Sequence, residues 1–453
     1  MREIVLHDTL SGARRPLQLR DPGRVGVYAC GPTVYGRVHV GNARPYVVFS
    51  LLKRFLEHEG LEVTFVCNIT DVNDKIYDAA RVAGVPSAEL AREMTAAYIA
   101  DTDRLALGRP DHEPLASETI GPIVALISDL IDAGHAYAVD GDVYFSVRSY
   151  ADYGELSHRD VDSMDQGEGV EGAQRKRDSL DFALWKASKE DEDTAWDAPW
   201  GRGRPGWHIE CSAMAEQLLG VDFDVHGGGW DLVFPHHENE AAQTRAARGR
   251  PLARTWMHNG MVQMGDEKMA KSIGNIRQLH GALDEYGRDA LVMYFCGGHY
   301  RQPLAFAAER LEEAASRVAR VRDAGRRLVA RASPAELAPL RERFFDALAA
   351  DFNTAEALGT LFEWVREANR RAEAGEVVGD ADLREMLAAL SLEGLLDGEA
   401  AAPDREALDL LARRERARAE RDFEAADRLR DELAARGWQV RDGAAGPELV
   451  RDA

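Results

Sequence analysis

A chain of 453 residues exceeds one ordinary core, so two to four domains are expected. Hydrophobic residues at 45% and charged residues at 30% exclude a disordered chain, and the lack of an apolar run of about 18 residues excludes a helical membrane span. Fifty-six Lys plus Arg against 78 Asp plus Glu leave a net charge of −22, which excludes indiscriminate binding to nucleic acid but not a partner met by a local basic face. No apolar signal core follows Met1-Arg2-Glu3-Ile4, so a cytoplasmic location and no membrane partner are expected.

In chain order, Val25–Cys30 is a short apolar run ended by Gly31-Pro32, which predicts a strand and a turn. From about 39 to 59 the spacing turns helical, with Val47, Val48, Leu51, Leu52, Phe55 and Leu56 on one face and Gly60 as the stop. Val63–Ile69 is the next predicted strand. This strand–helix–strand unit points to an α/β fold with a Rossmann-type parallel sheet. Residues of about 110–200 look like an insertion, with a helix near Ile120–Ala133, a strand at Asp142–Val147 and the polar stretch Ser157–Ser179. The sheet pattern is expected to resume at Gly206–Cys211 and Phe223–His226. Beyond about 300, Ala, Leu, Arg and Glu at helical spacing predict an all-α bundle from Phe306 to Leu396. A linker at 398–403 precedes a helical hairpin and a small β element. The expected division is a catalytic domain over 1–300, a helical bundle over 301–397 and a small C-terminal domain over 404–453.

Four segments carry chemistry. Gly31-Pro32-Thr33-Val34-Tyr35, followed by His39-Val40-Gly41-Asn42, sits where a strand ends and a helix begins, a place whose free N–H groups suit phosphate. A plain helix start with an incidental histidine is the plainer local reading. Lys268-Met269-Ala270-Lys271-Ser272 places two lysines three apart in a glycine-flanked loop, fit to grip phosphates or simply to be solvated. His236-His237-Glu238-Asn239-Glu240 puts His236 and Glu240 on one helix face if Pro235 opens that helix. Together with Cys30 and Cys211 these match zinc's taste in ligands, although two buried thiols and a charged helix start are the plainer reading. The four cysteines, Cys30, Cys67, Cys211 and Cys296, form no CxxC pair. Gly227-Gly228-Gly229-Trp230-Asp231 is a glycine-rich strand end, with Asp231 suited to an amine or a ribose hydroxyl.

Together these strings resemble the class I aminoacyl-tRNA synthetases, and within them the cysteinyl-tRNA synthetase family. His39–Asn42 stands where that class carries HIGH, and Lys268–Ser272 where it carries KMSKS. The family-specific strings are Tyr28–Tyr35, Asn68-Ile69-Thr70-Asp71, Gly206–Met214, Phe234–Glu240 and His258-Asn259-Gly260, all in the family's order. The resemblance implies one zinc ion held by Cys30, Cys211, His236 and Glu240. It implies ATP handling, with Mg²⁺, by Thr33, His39, Gly41, Asn42, Lys268, Lys271 and Ser272, of which His39, Asn42 and the two lysines serve catalysis. It also implies a cysteine pocket with Thr70, Trp207 and Asp231, and the partners tRNA(Cys), L-cysteine and ATP. Asn42 for the second histidine of HIGH and Ala270 for the middle serine of KMSKS depart from the pattern. The rival readings are a cysteine ligase acting on an aminosugar, which lacks the C-terminal end, a non-catalytic tRNA- or nucleotide-binding paralogue, and a zinc hydrolase, which the missing HExxH pair disfavours.

Overall fold

The computed structural model describes residues 2–164, 174–190, 192–265, 267–269, 276–397, 405–419, 422–436, 438–443 and 446–451. An antiparallel hairpin, β1 (Val5–Asp8) and β2 (Ala13–Pro16), opens the chain. It leads into β3 (Arg24–Ala29), α1 (Val40–His58) and β4 (Glu62–Cys67). β3 and β4 run parallel in register from Arg24↔Glu62 to Ala29↔Cys67, as a strand–helix–strand crossover demands. The apolar face read from the sequence of α1 is the one buried. Two helices follow, α2 (Asp74–Ala83) and α3 (Ser87–Asp103).

The insertion comprises α4 (Ile120–Asp132) and four strands, β5 (Ala136–Val139), β6 (Asp142–Phe145), β7 (Phe182–Ala187) and β8 (Gly203–Pro205). They form an antiparallel sheet in sequential order, with its own core around Ile127, Phe145, Phe182 and Trp185. Of the polar stretch predicted at 157–179, residues 165–173 lie outside the described residues.

The expected strand at Gly206–Cys211 is instead the start of a helix, α5 (Trp207–Leu219). Trp207, Ile209 and Cys211 alternate with His208 and Glu210, the two-residue period of a strand, but His208–Cys211 are all buried in the helix, so the alternation does not mark a face. Ala213, Met214, Ala215 and Leu219, all buried, carry the apolar face onward at helical spacing. After α5 come β9 (Phe223–Gly229), α6 (Glu238–Arg248) and β10 (Ala253–Asn259). The central sheet is parallel throughout, in the order β10-β9-β3-β4. Its connections depart in opposite directions from β3 and β9, so a crevice opens at their C-terminal ends, where α/β sheets bind ligands.

A small sheet of β11 (Val262–Met264), β12 (Glu267–Lys268) and β13 (Leu304–Ala305) brackets α7 (Leu279–Cys296). Four further helices are α8 (Ala308–Gly325), α9 (Ala338–Ala349), α10 (Thr354–Glu373) and α11 (Ala381–Ala389). Phe344, Leu361, Trp364 and Leu387 from these helices join the same apolar core as Phe55, Leu56 and Leu291. The C-terminal segment holds α12 (Arg405–Ala419), α13 (Phe423–Ala435) and the hairpin β14 (Trp438–Gly443) and β15 (Gly446–Arg451). Ala407, Leu410, Leu429, Leu433 and Trp438 give it a separate small core. Among the described residues no helix is long and apolar enough to cross a membrane.

Candidate active site and metal centre

A cavity of about 820 Å³ opens at the C-terminal ends of the parallel strands, and Ala29, Cys30, Cys67, Gly229 and Asn259 reach it from the four strand ends. One wall is the start of α1. His39 caps that helix, and Asn42 Oδ1 accepts the His39 backbone N–H at 3.2 Å. Asn42 thus spends its oxygen on the cap and keeps its NH₂ group as a donor within a wall that also carries Thr33, His39 and Gly41. A Cβ on Gly41 would stand 2.9 Å from two atoms of the His39 ring, so only glycine lets the imidazole lie over the first turn.

Another wall carries the Cys30 thiol and Trp207. Cys30 follows β3, Cys211 projects from α5, and His236 and Glu240 come from the turn into α6; their ligand atoms all lie within 4.8 Å of one another, and all four residues are buried. His236 Nε2 and Glu240 Oε1 are 3.0 Å apart, the one-turn pairing expected of residues four apart. Cys30 Sγ lies 3.5 Å from Glu240 Oε1 and 3.6 Å from His236 Nε2. Two thiols, an imidazole and a carboxylate at this spacing fit a soft divalent cation such as zinc. Trp207 stacks on His236 with ring centroids 4.1 Å apart and, with Cys30, faces the cavity.

A second set, Cys30, His226, His237 and Glu240, meets the same distance limit. His226 and His237 are fully buried, and His237 Nδ1 is already engaged at 2.7 Å with His258 Nε2, whose Nδ1 meets Thr9 Oγ1 at 2.7 Å. The set with Cys211 has a second thiol and lies under Trp207 at the cavity wall, so it is the better metal site. His226 Nε2 contacts Glu240 Oε2 at 2.9 Å and His208 Nδ1 contacts His236 Nδ1 at 2.8 Å, the outer contacts that orient ligands.

The electrostatics suit a metal. Burial holds His236 well below the usual histidine range, helped by His208 and His226, so its ring is neutral and offers a lone pair. Burial also pushes the Cys30 thiol well up, with the Cys211 hydrogen bond and charge next in weight. At Cys211 the hydrogen bond to Cys30 pulls downward, but burial and the nearby Glu240 outweigh it. Without a cation both thiols are protonated, so a metal enters only by displacing their protons.

The structure brings Thr33, His39, Gly41, Asn42, Trp207 and Asp231 to one cavity with Cys30. Thr70 lies behind the wall, 1% exposed, where its Oγ1 accepts from Asn68 Nδ2 at 3.2 Å and its backbone pairs with Thr33. Lys271 and Ser272 fall outside the described residues; Lys268 ends β12, and Met269 beside it reaches the cavity. Sequence reasoning passed over His226, His237 and His258. Their signal was present as histidines inside His226-Gly227, the His236-His237 pair and His258-Asn259-Gly260, but nothing in spacing shows that they converge.

A family model described as tRNA synthetases class I (C) catalytic domain matches residues 16–316. A DALR domain model matches 343–392, and one described as the cysteinyl-tRNA ligase anticodon binding domain matches 403–446. The cysteine–tRNA ligase of Halorhodospira halophila is 47% identical, with 99% of each chain covered. That of Caldicellulosiruptor saccharolyticus is 43% identical, covering 98% of this chain and 99% of its own. Among solved structures, Mycobacterium tuberculosis methionyl-tRNA synthetase with methionyl-adenylate superposes with a TM-score of 0.61 at 17% identity, covering 82% of this chain and 88% of that one, a likeness of fold. With its catalytic model matched from 16 to 316 and relatives matched end to end, the chain belongs to the cysteine–tRNA ligases of the class I aminoacyl-tRNA synthetase family.

Proposed function

We propose that the protein activates L-cysteine with ATP, giving cysteinyl-adenylate and pyrophosphate, and passes the cysteinyl group to a terminal ribose hydroxyl of tRNA(Cys). The observation that carries this reading is the convergence of Cys211, His236 and Glu240 on Cys30, which lines the cavity that also holds His39 and Asn42. A thiol-seeking centre and a phosphate-suited helix start share one chamber.

Cys30, Cys211, His236 and Glu240 would hold one zinc ion. Bound there, zinc supplies affinity for a thiolate and none comparable for a hydroxyl. If that difference exceeds about 4 kcal/mol, serine is rejected about a thousandfold without an editing site. Trp207 keeps His236 in place by stacking and closes the thiol side of the cavity. Asp231, on the cavity wall, accepts from the substrate ammonium and so turns the carboxylate toward ATP. His39 and Asn42 donate to phosphate oxygens at the helix start, with Thr33 beside them. Lys268, Lys271 and Ser272 meet the charge that grows on the phosphates of Mg²⁺-bound ATP during transfer. Catalysis is thus mainly alignment and charge stabilisation.

We assign 1–300 to catalysis, with the insertion at about 110–200, 301–397 to a helical bundle and 404–453 to anticodon binding. This whole belongs in the cytoplasm. The match of 403–446 to an anticodon-binding model supports tRNA over an aminosugar as acceptor. The test is cysteine-dependent ATP–pyrophosphate exchange, followed by transfer to a tRNA(Cys) transcript and to an aminosugar. Exchange with cysteine but not serine, and charging of tRNA alone, is the expected result. Absence of exchange, or transfer to the sugar instead, overturns the reading.

A further inference from the structure

The cavity has a third wall that neither the thiol centre nor the α1 start accounts for. It is the exposed face of α2, and it presents Lys75, Asp78 and Ala79 across from Tyr35. Among the described residues lining the cavity, Lys75 is the only lysine or arginine. Its ammonium stands 5.7 Å from the centroid of the Tyr35 ring, and none of the described carboxylates pairs with it. Asp78, one turn on, is bound to Arg81 at 3.4 Å.

The backbone beneath Lys75 is firmly held. Asn73 Oδ1 accepts the Lys75 N–H at 3.1 Å, and the Asp74 carboxylate is tied to Lys186 at 2.8 Å and to the buried Arg204. A fixed stem with an unpaired, mobile head is what a lysine contributes to phosphate recognition. The chain has only seven lysines against 49 arginines. Lys53, Lys186 and Lys189 are engaged in ion pairs with Asp111, Asp74 and Glu192. Among the described residues no carboxylate claims Lys75, which leaves its ammonium open to a ligand.

Resting on the reading that this cavity takes ATP and an RNA acceptor, we propose that Lys75 is a phosphate-contacting residue. Its ammonium, backed by the Tyr35 ring, takes a phosphate oxygen, from the ATP triphosphate or from the terminal phosphodiester of the acceptor strand. No bond is made or broken at Lys75; it binds and aligns.

The test measures equilibrium affinities of the full-length protein for Mg²⁺–ATP and for a tRNA(Cys) transcript, comparing wild type with Lys75→Met and Lys75→Arg. Lys75→Met weakens one of the two by about 10- to 100-fold, the range for losing a charge-assisted hydrogen bond, and Lys75→Arg recovers most of it. Loss confined to ATP assigns the triphosphate. Loss confined to tRNA, with the salt slope reduced by about one, assigns the acceptor phosphate. Affinities for both ligands within twofold of wild type overturn the proposal. Wild-type cysteine-dependent exchange, run alongside, tests the underlying reading separately; its absence sinks that reading and leaves the binding result for Lys75 to stand or fall alone.

Discussion

Arg44 sits one turn beyond His39 on α1, is 1% exposed, and donates to four backbone carbonyls: Gly260 at 2.7 Å, Met261 at 3.1 Å, His299 at 3.3 Å and Gln302 at 2.7 Å. Burial pushes its pKa down to about 10, so it stays charged at neutral pH. It ties the cavity wall at Asn259 and Met261 to the loop ending at Gln302. Arg44→Met removes four charge-assisted hydrogen bonds, at about 1.5–3 kcal/mol each before relaxation. Gly260 O keeps Asn259 Nδ2, Met261 O keeps the Leu304 N–H and His299 O keeps the Gln302 N–H, so among the described donors only the Gln302 carbonyl loses its partner outright. The guanidinium's own desolvation cost is recovered and water enters, so a net loss of about 3–5 kcal/mol is expected. Hydrogen exchange reads that loss locally through two amides: Gly260 N–H, which donates to Tyr300 O at 2.8 Å, and Leu304 N–H, which donates to Met261 O at 2.9 Å. Their protection should fall by about 100-fold or more, while amides of β5–β8 are unchanged. Arg44→Lys, with three donors in place of five, should fall between. Protection at Gly260 and Leu304 within threefold of wild type refutes the reasoning.

Two more perturbations have signed outcomes. Gly41→Ala places a Cβ 2.9 Å from the His39 ring and must displace it, so steady-state exchange should drop about tenfold or more while circular dichroism is unchanged. Normal turnover would mean that His39 does not act from its observed position. At Glu59, burial pushes the carboxyl up, but hydrogen bonds from the Arg2 backbone N–H and guanidinium outweigh it and hold the group below its ordinary value of 4.5. A depressed carboxylate stabilises the fold above that ordinary value and loses the contribution as pH falls through the folded value. The wild-type melting temperature should therefore fall more steeply than that of Glu59→Gln between about pH 5 and 3. Parallel pH profiles would contradict this.

How much was readable beforehand depended on range. Local pattern identified β3 and β4 as short apolar runs, buried on both faces, and α1 by its single apolar face, and the Arg24–Glu62 register follows once the strands pair. It failed at Gly206–Cys211, where apolar and polar residues alternate as in a strand but belong to a helix whose start is buried on every side. The metal set could be reached only through a family likeness: Cys30 and Cys211 are brought together by strand order, which residue spacing does not encode. The outer histidines lay hidden for the same reason. Thr70 reads as a pocket residue by its motif; in the structure its Oγ1 accepts from Asn68 inside the wall and keeps its O–H to donate. Lys75 was one charge among many until the cavity lining isolated it.

The most direct measurement is of metal and thiol together: stoichiometry in the purified protein, and thiolate-to-metal charge transfer in the cobalt-substituted form on adding substrate. One equivalent of metal, lost in Cys30→Ser and Cys211→Ser, with absorption that rises with L-cysteine and not with L-serine, is the predicted result. Full metal retention in Cys211→Ser, or a spectrum indifferent to L-cysteine, would contradict it.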